Sequence, residues 1–206
     1  MKANTRSNSS RERILSTAES IILQRGFAGT TIDEILDKAC ITKGGFFYHF
    51  SGKKELARAL VDRYLENDSV MFAELSDRAD QLSEDPLQRT LIFLNLLTET
   101  VAGMTEIHPG CLVAAFTYET QQFDDDIRRR IEQGMLQWRE LIAKRLRQIM
   151  QNYEARVEVD VDVLADMFSS SLEGGIILAR VLNSNQALVD QMQAYRTHLR
   201  LLFDNV

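Results

Sequence analysis

Residues 42 to 50, Thr42-Lys43-Gly44-Gly45-Phe46-Phe47-Tyr48-His49-Phe50, gather four of the sixteen aromatic side chains in five positions, beside a lysine, a histidine and two glycines. An ammonium, an imidazole and a phenol supply the hydrogen bonds that an anionic partner needs. Adjacent glycines let a backbone come close to whatever the segment meets. At helical spacing Phe46 and Phe50 share one face. Packing claims that face, with Ile14, Ile35 and Leu36 as the expected neighbours. Lys43 with Phe47, Gly44 with Tyr48, and Gly45 with His49 occupy the faces that remain. Each glycine in a first helical turn costs up to about 1 kcal/mol of helix propensity relative to Ala, so the pair needs a reason. A bare helix N-terminus whose free amides favour phosphate is such a reason. Lys53 and Lys54 open the following helix, where the macrodipole disfavours cations and a neighbouring phosphate would reverse the penalty.

Short, well-terminated helices must position these groups. Residues 10 to 25 place Ile14, Leu15, Ala18, Ile21 and Ile22 on one stripe, with Ser9 or Ser10 as N-cap and Gly26 as a left-handed stop. Thr31-Ile32-Asp33-Glu34 reads as a capping box that starts a helix ending near Ala39. After Cys40-Ile41-Thr42, the Thr42 hydroxyl caps a second short helix from Lys43 to Phe50. Two short helices joined by a tight turn form a helix-turn-helix. Ser51-Gly52 breaks the pattern before a long helix from Lys53 to about Leu82. Pro86 and Pro109 each open a further helix, to about Thr105 and from Gly110 to about Gln121. A long core-facing helix then covers about 124 to 153, residues 157 to 161 form a linker, and helices over 162 to 182 and 186 to 203 complete nine.

The 206 residues carry 24 Lys/Arg against 30 Asp/Glu, a net charge of −6, and are 45% hydrophobic. That apolar share supports a real core and excludes disorder or a disulfide-stapled mini-fold. Two prolines and ten glycines are too little punctuation for an all-β chain, so an all-α fold is expected. Cys40 and Cys111 fit a reducing compartment, and no apolar stretch serves as a signal peptide or a membrane span, so the expectation is a cytoplasmic protein without membrane attachment. Charge is divided unevenly. Up to Arg58 there are ten basic and six acidic residues, a balance of +4; beyond it fourteen and twenty-four give −10. Such asymmetry suits a basic part that meets a polyanion. His49, His108 and His198 fall on separate elements, and neither a spaced Cys/His cluster nor a phosphate-binding glycine loop occurs. No metal, cofactor or enzymatic activity is therefore expected.

Taken with Thr31 before it and Lys53-Lys54-Glu55-Leu56 after it, the segment closely resembles the DNA-binding domain of the TetR family of transcriptional regulators. The resemblance covers residues 10 to 56. It implies a three-helix DNA-binding domain over 1–55, joined by the long helix to a helical effector-binding and dimerisation domain over 56–206. By that resemblance Thr31, Thr42, Tyr48, His49 and Lys53 contact phosphate, while Lys43, the Gly44-Gly45 backbone and the Phe47 ring discriminate bases in a major groove. Arg6 and Arg11 could extend a basic arm. Two positions depart from the family pattern: tyrosine is usual where Phe47 stands, and a turn glycine is frequent where Cys40 stands, which strains the turn if its left-handed conformation is kept.

The resemblance also implies a homodimer on a palindromic double-stranded operator, most simply a repressor that a small-molecule effector releases. Leu164, Phe168, Leu172, Gly175, Ile176, Leu188, Met192, Tyr195 and Leu199, on the last two helices, are the expected dimer interface. Phe72, Phe93, Leu97, Met104, Cys111, Phe116, Tyr118 and Trp138 are the candidate effector pocket. His108-Pro109-Gly110-Cys111-Leu112 resembles a Gly-Cys-Leu element in a branch of the family that includes electrophile sensors, and a thiolate at a helix N-terminus is reactive. Packing is the competing role for Cys111. A helical interaction protein without operator binding is the remaining alternative.

Overall fold

A computed structural model describes the backbone of residues 2 to 203 and side chains from Ser9 onward. The described residues form nine α-helices and no strand: α1 (Lys2–Arg25), α2 (Ile32–Ala39), α3 (Lys43–His49), α4 (Lys53–Leu82), α5 (Pro86–Ala102), α6 (Leu112–Thr117), α7 (Asp125–Met150), α8 (Val161–Leu182) and α9 (Gln186–Phe203), with a 3-10 turn at Thr120–Gln122. Residues 157 to 160 are coil, as the linker reading expected. Two elements differ from expectation. Helix α1 begins before Ser9 and Ser10, so neither caps it. Helix α6 is confined to six residues, because Cys111 rather than Pro109 sits at its N-cap and the chain turns at Tyr118. Among the described residues no helix is long and apolar enough to cross a membrane.

Packing divides the chain into two units, residues 1–67 with 109–132 and residues 68–108 with 133–206. This differs from a boundary at 55/56. The reason is a core in which Leu112, Phe116, Phe123 and Ile127 join Ile14, Ile22, Phe27, Ile35, Phe46 and Leu60. Three rings lock that addition in place: Phe27 lies 5.4 Å from Phe116 and 4.8 Å from Phe123, which stack on each other at 4.5 Å. Ion pairs fasten α4 on both flanks, Arg63 to Glu12 and Glu19 of α1, and Asp62 to Arg130 of α7 at 2.6 Å.

In the other unit α9 packs on α8 and α5. The Tyr195 hydroxyl donates to the Leu164 carbonyl at 3.0 Å, and burial pushes this phenol's pKa well above its usual value. The residues expected at a dimer interface require correction. Leu164, Phe168, Gly175, Ile176, Leu188, Met192, Tyr195 and Leu199 are buried within this single chain, and Leu172 is half-buried. Helix α8 carries two apolar stripes one step apart. The inner stripe runs through Leu164, Phe168 and Gly175, while Val163, Met167, Ile177, Leu178 and Val181 stay exposed on the outer one, Val181 to 75%. Periodicity alone reveals both stripes without showing which one the chain covers itself.

Gly175 and Gly174 separate the two faces. A Cβ on Gly175 would lie 2.6 Å from Leu188 Cδ1 and 3.1 Å from Leu188 Cα, whereas one on Gly174 would meet nothing within 4 Å. Gly175→Ala should therefore cost about 1–3 kcal/mol through overpacking, and Gly174→Ala should be neutral or stabilise by up to about 1 kcal/mol through helix propensity. Chemical denaturation of the two variants measures this, and the same loss in both would contradict it.

Candidate nucleic-acid interface

The turn before α2 fixes where the site begins. Gly26 adopts φ +79, its amide reaches the Ile22 carbonyl at 2.8 Å, and the left-handed stop to α1 is thus present. Thr31 Oγ1 accepts from the Glu34 amide at 3.2 Å and caps α2. The expected capping box is half made. Instead of reaching back to the cap, the Glu34 carboxylate pairs with Arg25 at 2.9 Å and Lys38 at 3.3 Å.

Helix α2 ends on Cys40 with φ 52 and ψ 49, so the left-handed turn is kept without the glycine that would adopt it freely. The Ile41 amide reaches the Leu36 carbonyl at 3.0 Å across this turn. Thr42 Oγ1 then accepts from the Gly45 amide at 3.1 Å and starts α3. Phe46 is 0% exposed and Phe50 is also buried, their rings 5.6 Å apart, so one face of this seven-residue helix is wholly committed to the core.

The opposite surface keeps Thr42, Lys43, Gly44, Phe47 and Tyr48 exposed, Tyr48 to 75%, and Thr31 is exposed beside the start of α2. The two glycines are not equivalent. A Cβ on Gly44 would meet nothing within 4 Å, whereas one on Gly45 would lie 3.1 Å from Ile41 Cγ2 and 3.3 Å from Thr42 Oγ1. Packing therefore accounts for Gly45, and nothing in the fold accounts for Gly44. His49 is half-buried, and its Nε2 lies 2.7 Å from Ser10 Oγ, which ties α3 to α1. Arg11 stacks 5.5 Å from the Phe50 ring centroid and is part of α1 rather than of an arm, while the Arg6 side chain lies outside the described residues.

Lys53 opens α4 and is already engaged. Its Nζ donates to the Phe27 carbonyl and lies 4.2 Å from the Phe27 ring centroid. Partial burial lowers its pKa, and the Glu119 carboxylate partly offsets that by favouring the charged form. Glu119 is a residue that the sequence pattern does not single out. It accepts from the backbone amides of Phe27 and Ala28 at 2.7 Å each. An acid in a connection between helices carries no periodic or motif signal.

The candidate effector residues divide between the two units. Phe72, Phe93 and Leu97 are buried in the unit of residues 68–108 and 133–206, where Phe72 lies 6.3 Å from Phe93 and 6.4 Å from Phe168. Phe116 belongs to the other unit's core, Cys111 is buried there, Trp138 is half-buried, and Met104 and Tyr118 are exposed. Aromatic spacing on these helices signals burial, which packing satisfies within each unit. The motifs of the sequence do not include Arg145, although a charge between Ile142 and Ile149 on the apolar stripe of α7 is a readable signal. Its side chain is 5% exposed, lies 5.0 Å from the Phe93 ring centroid, and pairs with Asp80 at 3.1 Å and with Ser76. Burial lowers its pKa, and Asp80 partly restores it.

Comparison with known proteins gives two family models. Residues 14–60 match that of the bacterial regulatory proteins of the tetR family, and residues 86–195 match the tetracyclin repressor-like C-terminal domain. The HTH-type transcriptional repressor DhaR of a Mycobacterium species is 22% identical over 178 residues, 86% of each chain. A crystal structure of a TetR transcriptional regulator from Chloroflexus aurantiacus superposes with a TM-score of 0.79 at 25% identity, covering 97% of this chain and 98% of that one. The reduced form of Escherichia coli NemR gives a TM-score of 0.74 at 20% identity over 96% and 98%.

The left-handed Cys40 supplies a direct check on the turn. Because that conformation costs an L side chain roughly 1–2 kcal/mol and costs glycine almost nothing sterically, Cys40→Gly should raise stability by about 1 kcal/mol after its larger entropy loss. A thermal melt that shows no stabilisation would contradict the geometry at this residue.

Proposed function

This chain belongs to the TetR family of bacterial transcriptional regulators, and from that premise we propose that it is a DNA-binding repressor released from a palindromic operator by a small-molecule effector. The observation that carries the reading is the division of α3 into a buried Phe46 face and an exposed face bearing Lys43, Gly44, Phe47 and Tyr48. A helix held from behind can be pressed into a major groove without losing its fold. Lys43 and the ring of Phe47 read bases, and the open Gly44 lets the backbone approach. Thr31, Thr42, Tyr48, His49 and Lys53 set the register on phosphates. The +4 balance of the first 58 residues supports a charge-driven encounter. DhaR, a named repressor of similar length, supports the direction of control.

Two recognition helices require two copies. The outer stripe of α8, Val163, Met167, Ile177 and Val181, together with Leu201 on α9, is apolar, exposed and suited to a self-complementary contact. This surface replaces the buried residues first expected there.

Thiol sensing at Cys111 is the second reading. Its support is the Sγ atom at the N-cap of α6, which accepts from the Ala114 amide at 3.4 Å. At 9% exposure this cysteine serves packing and capping first. Cys111→Ser should therefore leave operator release by effector unchanged, and intact-mass measurement after mild electrophile treatment should show no adduct at Cys111; an adduct accompanied by loss of DNA binding would establish sensing.

The main reading is tested by titrating DNA upstream of the protein's own gene at several salt concentrations. The logarithm of affinity should fall linearly with that of salt, and Lys43→Ala should flatten the slope by about one unit if it also touches phosphate, or weaken specific sites alone if it reads bases. Gly44→Ala should fold at least as stably as the parent yet bind the operator roughly tenfold or more weakly, because a methyl group enters a contact surface where fractions of an ångström matter. Absence of binding at low salt would leave the interaction-protein alternative standing.

A further inference from the structure

Residues 109–132 continue from α5 and lead into the later part of α7, yet they pack with residues 1–67. Within that segment Glu119 has no part in the recognition surface, and its contacts are unusually complete. Oε1 accepts from the Phe27 amide and Oε2 from the Ala28 amide, each at 2.7 Å. Charge-assisted bonds of this kind are about twice as strong as neutral ones. The preceding Gly26 leaves room for them, since a Cβ there would lie 2.5 Å from Oε1. Phe116 and Phe123, which flank Glu119 in sequence, hold the Phe27 ring.

The Ala28 N–H and the Phe27 C=O belong to one peptide group. Its N–H is given to the Glu119 carboxylate, and its carbonyl accepts from the Lys53 ammonium. An anion at one end and a cation at the other polarise the peptide in the same sense, so each bond strengthens the other. Glu119 and Lys53 are therefore coupled through a backbone amide without touching.

We propose that Glu119 is a positioning residue for operator binding, which fixes the α1–α2 turn and, through the 27–28 peptide, the ammonium of Lys53, so that movement of the segment after α6 loosens a phosphate contact while α3 stays intact. The proposal rests on the reading above in which Lys53 meets phosphate. It gives effector binding a route to the DNA-binding head that needs no change in the recognition helix. The chain from α5 to α7 passes through the grip on the turn.

Glu119→Gln and Glu119→Ala test it in the full-length protein. Each should weaken operator binding by roughly tenfold and flatten the salt dependence by up to about one unit, as expected when one phosphate contact is lost. Combined with Lys53→Ala, either should add little further loss, because both remove the same interaction. A role confined to stability would lower the melting temperature, leave the salt slope unchanged and add fully to Lys53→Ala; that pattern overturns the proposal. A second readout does not use DNA. The Lys53 side chain, followed by NMR through its Cε resonance, should titrate at lower pH in Glu119→Gln than in the parent, since a carboxylate that favours the ammonium has gone. An unchanged titration refutes the coupling. A shifted titration in a protein that binds no DNA supports the coupling and overturns the operator reading and the positioning role with it.

Discussion

A helix of seven residues with two glycines in its first turn has no means of persisting alone in water. Everything proposed for α3 depends on the burial of Phe46, which converts a marginal peptide into a fixed surface. The rest of that unit is arranged to make the burial possible. Helix α1 supplies Ile14 and Leu15, α2 supplies Ile35 and Leu36, and α4 closes the cluster with Leu56 and Leu60. Thr31 and Thr42 begin their helices at defined residues, so the angle between α2 and α3 follows from hydroxyl caps at both starts and from one strained turn residue between them.

What could be read from the sequence was local. Caps at Thr31 and Thr42, the stop at Gly26 and the paired phenylalanines each follow from residues within four positions of one another, and the structure contains all of them. The nine helices of the described residues were legible for the same reason, since apolar spacing and Pro86 mark them, whereas Pro109 lies ahead of its helix. Local pattern is silent where a residue's role depends on a distant partner. The Glu34 carboxylate chose Arg25 over its own cap. Helix α8 displayed two apolar stripes, and only the position of α9 decides which is interior. Aromatic spacing leaves Phe116 open to a core or a pocket, and within its unit it stacks on Phe123 in the core. Glu119 lies at the far end of this scale: its partners are some ninety residues away and are backbone amides, which leave no trace in composition.

Charge follows the same division between local and distant causes. The overall −6 conceals a basic segment and an acidic remainder, a contrast that long-range fields report without any contact. Within the basic segment the cations do different work. Lys43 is solvated and available, Arg63 is spent on Glu12 and Glu19, and Lys53 is divided between a carbonyl, a ring and whatever approaches from outside. Counting positive residues would weigh these three equally, whereas their surroundings rank them.

The uncovered stripe of α8 bears on more than assembly. With a second copy as its occupant, each protomer acts as the other's ligand, and mass action makes the folded fraction depend on how much protein is present. A cell that makes little of this regulator would then hold part of it as monomer. Abundance would thereby set a threshold below which the operator stands empty, independently of any effector.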